Sequence, residues 1–157
     1  MVKARLKQSS QLFVFHRVFS FMQRGLDGEP AWLKRVDAYM DKHILIVEDE
    51  PLLALDLESL IAELVEADFV VCRLAADALH EVETKAFDFA FLDVDVVDGT
   101  TFDVAQALAM RGERFAFVSG SNRRDDALRC GAMEYLSKPY RPSDIQRVLR
   151  RGLLAAA

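Results

Sequence analysis

Ile44-Leu45-Ile46-Val47-Glu48-Asp49-Glu50 and, further on, Phe89-Ala90-Phe91-Leu92-Asp93-Val94-Asp95 share one pattern: an apolar run, then clustered acid. A short apolar run bounded by charge predicts a strand covered on both faces, as in parallel α/β sheets. Ligands of such sheets bind in the crevice at the carboxyl ends of the strands. Two neighbouring strands that end this way bring Glu48, Asp49, Asp93 and Asp95 close together. Carboxylates that near one another repel and raise each other's pKa unless a positive group joins them. A divalent cation is the group expected there.

Outward from the first of these strands the pattern alternates. Pro51 suits the first turn of a helix, in which Leu53, Leu57, Leu60, Ile61 and Leu64 form a stripe at helical spacing. Phe69–Cys72 reads as a second strand and Ala75–Lys85 as a second helix. Phe89–Leu92 is the third strand, followed by the turn signal Asp98-Gly99 and a helix over Thr101–Met110. Phe115–Val118 is a fourth strand, stopped by Ser119-Gly120-Ser121. A short polar helix covers Arg123–Cys130 and is capped at Gly131. Glu134–Leu136 is a brief fifth strand, and Ser143-Asp144 opens a final helix to Gly152. Strands alternating with helices in this way predict a doubly wound, five-stranded parallel sheet. The right-handed crossover rule sets strands 1, 3 and 4 side by side.

The bulk properties narrow the possible functions. A length of 157 residues with 52% hydrophobic content suits one domain with a sizeable core. Residues 1–42 hold eight Lys/Arg against four Asp/Glu, whereas residues 43–157 hold twelve against twenty-one. An acidic main body argues against direct nucleic-acid binding. Cys72 and Cys130 have no metal-ligand spacing, and a reduced, cytoplasmic protein is the simple reading. No run approaches the roughly 18 apolar residues of a membrane span.

Residues 1–42 stand outside the repeat as an N-terminal extension. Leu12, Phe15, Phe19 and Met22 could form one apolar helix face, suited to docking or to a membrane surface. Met40, just before the first strand, is equally readable as the true start. The expected division is therefore an extension over 1–42, a folded domain over 43–153 and a tail over 154–157.

Glu48-Asp49, then Asp93 forty-four residues later, then Ser119-Gly120, then Lys138-Pro139, each at a predicted strand end, resemble a bacterial response regulator receiver domain. The resemblance runs from His43 to Gly152 and implies a flavodoxin-like fold with strand order 2-1-3-4-5. It implies that Asp93 accepts a phosphoryl group, with Mg2+ held by Asp49 and Asp93, Glu48 acting through a water, and the backbone carbonyl of Asp95. Chemistry supports these types: a carboxylate can form an acyl phosphate, and Mg2+ prefers oxygen ligands and keeps several waters. Lys138 would pair with the acceptor and then with the phosphoryl oxygens, and Ser119 would donate a hydrogen bond to one of them. Tyr135, three residues before Lys138, takes the place of the family's switch aromatic. The read-out face would be Arg123–Arg150.

Three departures from the family pattern matter. The turn after Asp93, Val96-Val97-Asp98-Gly99, is short and lacks a proline, and the segment from Ser119 to Lys138 is short, so a reduced or irregular fourth helix is expected. These two features are similar to stand-alone receivers common in alphaproteobacteria. Asp95 places a further acid beside the acceptor. The implied role is that of a single-domain response regulator, a phosphoacceptor and not an enzyme in the usual sense. Its implied partners are a sensor histidine kinase or phosphotransfer protein and an unknown downstream protein, and a homodimer is compatible with it.

Other readings compete. Asp93-Val94-Asp95-Val96-Val97 fits the DxDx[TV] pattern of haloacid-dehalogenase-type phosphatases, which place it on their first strand and carry a further acidic pair after the lysine; here Asp144 alone follows Lys138. A receiver that signals without phosphorylation is a third. Taken singly, Ser119 reads as an ordinary strand-end hydroxyl and Tyr135 as packing, while Arg123, Arg124, Arg147, Arg150 and Arg151 read as a solvated face.

Overall fold

Strand β1, Lys42–Val47, pairs in parallel with β2, Ala67–Cys72, on one side and with β3, Phe89–Leu92, on the other. These relations come from a computed structural model that describes residues 42–153. The readings made for the extension and the tail lie outside the described residues. Beyond β3 the sheet continues through β6, Phe115–Ser119, to β7, Glu134–Ser137, giving the order β2-β1-β3-β6-β7 with all pairs parallel. A two-residue antiparallel pair, β4 (Asp95–Val96) with β5 (Gly99–Thr100), interrupts the connection after β3. Leaving that hairpin aside, the sheet has the expected order 2-1-3-4-5 of a flavodoxin-like fold.

The helices are α1 (Pro51–Ala62), α2 (Ala75–Thr84), α3 (Phe102–Met110), α4 (Arg124–Arg129) and α5 (Pro142–Gly152). At six residues α4 is the short fourth helix expected. Alternation along the strands divides the core into two layers. Ile44 and Ile46 of β1 pack with Leu57 and Ile61 of α1 and with Ile145, Val148 and Leu149 of α5. Leu45 and Val47 pack on the other face with residues of α2, α3 and α4. The two central strands put phenylalanines on both sides. Phe89 and Phe91, with ring centroids 5.0 Å apart, belong to the first layer; Phe115 and Phe117, 5.8 Å apart and edge-on, belong to the second. Fully burying each such ring contributes roughly 1.5–3 kcal/mol. Gly152, at the end of α5, is where the helix passes against Phe89; a Cβ there would overlap the ring.

Several boundaries differ from the sequence reading, each for a local reason. β1 starts at Lys42, not Ile44, because Asp88 anchors its polar beginning: the carboxylate accepts from the His43 amide at 2.9 Å and from Lys42 Nζ at 3.0 Å. Helix α5 starts at Pro142, which fills the first-turn position that needs no N–H donor. Asp144 then reaches back to the Arg141 amide, 3.1 Å away. Leu64 falls beyond the end of α1 and is exposed, so Leu57 and Ile61 carry the buried stripe.

Candidate functional site

The parallel ladders run one step past the strands and gather the site. The Asp93 amide donates to the Val47 carbonyl at 2.8 Å, which seats Asp93 beside the acidic loop that follows β1. Likewise the Lys138 amide donates to the Ser119 carbonyl at 3.0 Å, which seats the lysine beside the end of β6. Glu48, Asp93 and Ser119 are buried, and Asp49 is half-buried. One carboxylate oxygen from each of Glu48, Asp49 and Asp93 lies within 4.8 Å of the other two. Three acids that close need positive charge.

Part of that charge is Lys138. Its Nζ lies 2.5 Å from Glu48 Oε2 and 2.5 Å from Asp93 Oδ2, so one ammonium joins two carboxylates from different strands. Burial acts to lower the lysine's pKa, but the hydrogen bonds to Asp93 and Glu48 outweigh it and hold the group above its ordinary value. For Glu48 the balance is reversed: burial raises its pKa, and Lys138 only reduces the rise. Glu48 Oε1 also accepts from the Glu50 amide at 3.2 Å. The glutamate is therefore tied to the lysine in addition to being a member of the acidic set.

The remaining charge deficit has a location. Asp93 Oδ1 is buried and has no hydrogen-bond partner among the described residues. A buried, unpartnered carboxylate oxygen is costly unless a cation or water meets it. The all-oxygen donor set of Glu48, Asp49 and Asp93 fits a small hard divalent ion better than a thiophilic metal.

Asp95 is not part of this set. Its carboxylate points outward, 51% exposed, to an ion pair with Arg123 at 3.2 Å. Ser119 is buried at the rim, where its Oγ accepts from the Ser121 amide at 3.3 Å and keeps its own proton to donate. Tyr135 is buried with its ring inward, and its hydroxyl donates to the Ser121 carbonyl at 2.6 Å.

Four residues with a part in this region escaped the sequence reading. Thr101 is fully buried, and its Oγ1 donates to the Asp93 carbonyl at 2.5 Å. Asp98 accepts from the Ala75 and Ala76 amides at 2.7 and 3.0 Å, so the loop after Asp93 caps α2. The guanidinium of Arg123 lies 5.2 Å from the Phe102 ring centroid, and that of Arg124 lies 5.7 Å from that of Tyr135. A Thr after Gly99-Thr100 and an Asp in a turn are ordinary signals for a cap, but neither names the distant partner.

An open parallel sheet with two acidic loops and a lysine loop meeting at its carboxyl edge defines a receiver domain. The chain belongs to the response regulator receiver domain family, which its residues 44–150 match. Domains of this family are the receiving part of two-component signalling. The sensory transduction protein LytT of Enterococcus faecalis is 29% identical over 119 residues, which take in 70% of this chain and 47% of LytT. The chain spans about half the length of the curated relatives it matches. The response regulatory domain of mrkE from Klebsiella pneumoniae has the same fold, with a TM-score of 0.67 at 25% identity over 72% of this chain and 96% of that one. So does the receiver domain of the sensor histidine kinase PA1611 from Pseudomonas aeruginosa, with a TM-score of 0.65 at 20% identity over 72% and 98%. That structure has a magnesium ion coordinated in its active site cleft. Asp93 follows β3, at the centre of the sheet, so the phosphatase pattern does not sit on a first strand as that family requires. No helix among the described residues is long and apolar enough to cross a membrane.

Proposed function

We propose that the chain is a Mg2+-dependent phosphoacceptor of a two-component phosphorelay, modified on Asp93. The observation that carries this reading is the asymmetry of the Asp93 carboxylate. One oxygen is held by Lys138 and the other is buried without a partner, in a residue that lies beside Glu48 and Asp49. The donor is a phosphohistidine of a sensor histidine kinase or phosphotransfer protein. The Asp93 carboxylate attacks phosphorus, and an O–P bond forms as the P–N bond breaks. The imidazole leaves with the electron pair.

Phosphoryl transfer asks the protein for position and charge neutralisation more than for covalent chemistry. Lys138, already within reach of Asp93, turns to the phosphoryl oxygens, and Ser119 donates a hydrogen bond to one of them. Asp49 and Asp93 would hold Mg2+, with Glu48 and the backbone carbonyl of Asp95 completing the protein's share. When bound, the metal supplies positive charge to the phosphoryl oxygens. Tyr135 then serves as the switch, its tie to Ser121 linking it to the loop that Ser119 begins. The reader is a downstream protein that meets the α4–β7–α5 side in the cytoplasm. The receiver unit is residues 43–153, with residues 1–42 an extension and 154–157 a tail.

Incubation with acetyl phosphate and Mg2+ should add one phosphoryl group, seen by mass spectrometry of the intact protein. Removing Mg2+ or introducing Asp93→Ala should abolish it. Labelling that persists at another residue in Asp93→Ala would overturn the proposal.

A further inference from the structure

Arg123 and Arg124 are adjacent, yet they reach in different directions from the start of α4. Arg123 pairs with Asp95 at 3.2 Å and lies over Phe102, so it bridges the loop after β6 to the hairpin that follows Asp93. Arg124 donates to the Tyr135 carbonyl at 3.3 Å and lies over the Tyr135 ring. The two arginines thus connect the hairpin that follows Asp93 to the buried tyrosine through two neighbouring residues.

We infer that this fork is the charge sensor of the domain: Arg123 detects the phosphoryl group on Asp93, and Arg124 relays its movement to Tyr135. The inference rests on the phosphoacceptor reading of Asp93 and adds to it the residues that couple modification to the switch.

Relative interaction strengths give the direction. Arg123 and Asp95 are 45% and 51% exposed, and pairs that open to solvent hold weakly. A phosphoryl group adds roughly −1.5 to −2 charge and three acceptor oxygens. A guanidinium meets such a group with two parallel hydrogen bonds, a stronger arrangement than its single contact with Asp95. The Cα atoms of Asp93 and Asp95 are at most about 7 Å apart along the chain, inside the roughly 8 Å screening length of physiological salt, so Arg123 is already docked on the segment that carries Asp93. Arg123 therefore exchanges an exposed carboxylate for a nearby phosphoryl group of higher charge. Because Arg124 is its backbone neighbour, the exchange pulls the second guanidinium from the Tyr135 ring.

The test uses the full chain labelled with 3-fluorotyrosine, which gives one signal for each of its three tyrosines, the Tyr135 signal being assigned with Tyr135→Phe. Beryllofluoride with Mg2+ serves as the phosphoryl mimic, and its own fluorine signal reports occupancy of the site. In the wild type the mimic should bind and the Tyr135 signal should move. In Arg123→Gln the mimic should still bind, while the Tyr135 movement falls to less than half. In Asp95→Asn, which frees Arg123, the resting Tyr135 signal should already be displaced toward the bound position. Full Tyr135 movement in Arg123→Gln, or an unchanged resting signal in Asp95→Asn, overturns the inference and leaves the phosphoacceptor reading intact. Failure of the mimic to bind the wild type overturns both.

Discussion

Thr101 Oγ1 donates a 2.5 Å hydrogen bond to the carbonyl oxygen of Asp93, and Thr101 is fully buried. The residue that starts α3 therefore holds the backbone of the acceptor. Thr101→Val keeps the shape and removes the donor. Losing a buried partner costs about 1–3 kcal/mol, to be read from urea unfolding. Thr101→Ser, which retains the hydroxyl, should lose less than Thr101→Val. A Thr101→Val protein as stable as the wild type would show that the hydrogen bond does not matter.

Lys138 is the cation that keeps Glu48 and Asp93 compatible. Breaking a buried charged set by removing one partner is destabilising by roughly 3–5 kcal/mol, and Lys138→Met should fall in that range in metal-free buffer. Mg2+ should raise the melting temperature of this variant more than that of the wild type, since the ion then replaces the lost ammonium. A smaller Mg2+ response in the variant would contradict the cation fit.

Asp98 carries a pH signature of its own. The Ala76 and Ala75 amides donate to its carboxylate and hold its pKa below the ordinary value. A group lowered in the folded state stabilises above its unfolded value of about 3.9 and loses that contribution as pH falls through the folded value. Asp98→Ala should therefore melt lower than the wild type at pH 7, with the gap closing as the pH falls below about 4. A gap that stays constant across this window would assign the loss to packing.

Gly152 tests the packing under α5. A Cβ at this position overlaps the buried Phe89 ring, and Phe89 has no free side to move toward. Overpacking of this kind costs typically about 1–3 kcal/mol, so Gly152→Ala should unfold at lower denaturant than the wild type. A Gly152→Ala protein of unchanged midpoint would mean that α5 shifts freely on the sheet.

Much of this architecture was legible because its cues are local. Apolar quartets such as Ile44–Val47 and Phe89–Leu92 name buried strands, and Pro51, Gly131 and Asp98-Gly99 mark boundaries. The residues Glu48, Asp49 and Asp93 could be expected to meet because parallel strands end on the same side, and the structure brings them together. What could not be read is which groups pair across long stretches of chain. Asp98-Gly99 marks a turn, but nothing in residues 95–100 shows that Asp98 caps a helix beginning at Ala75. Asp95 looked like a fourth acid at the site, yet its exposed pairing with Arg123 turns its carboxylate away. A side-chain rotamer decides that, and sequence spacing does not record it. Arg123 and Arg124 looked solvated for the same reason, since arginines often are.

The phenylalanines of β3 and β6 line both layers of the core, with Phe89, Phe91, Phe115 and Phe117 all buried. Close-packed rings resist the sliding of one strand past another. A disturbance at Asp93 thus has a stiff floor beneath it. The loops at the carboxyl edge are the softer part of the domain around it. The domain is in that sense a rigid plinth with a collar of loops, and substitutions that change the site without unfolding the domain should concentrate in the collar.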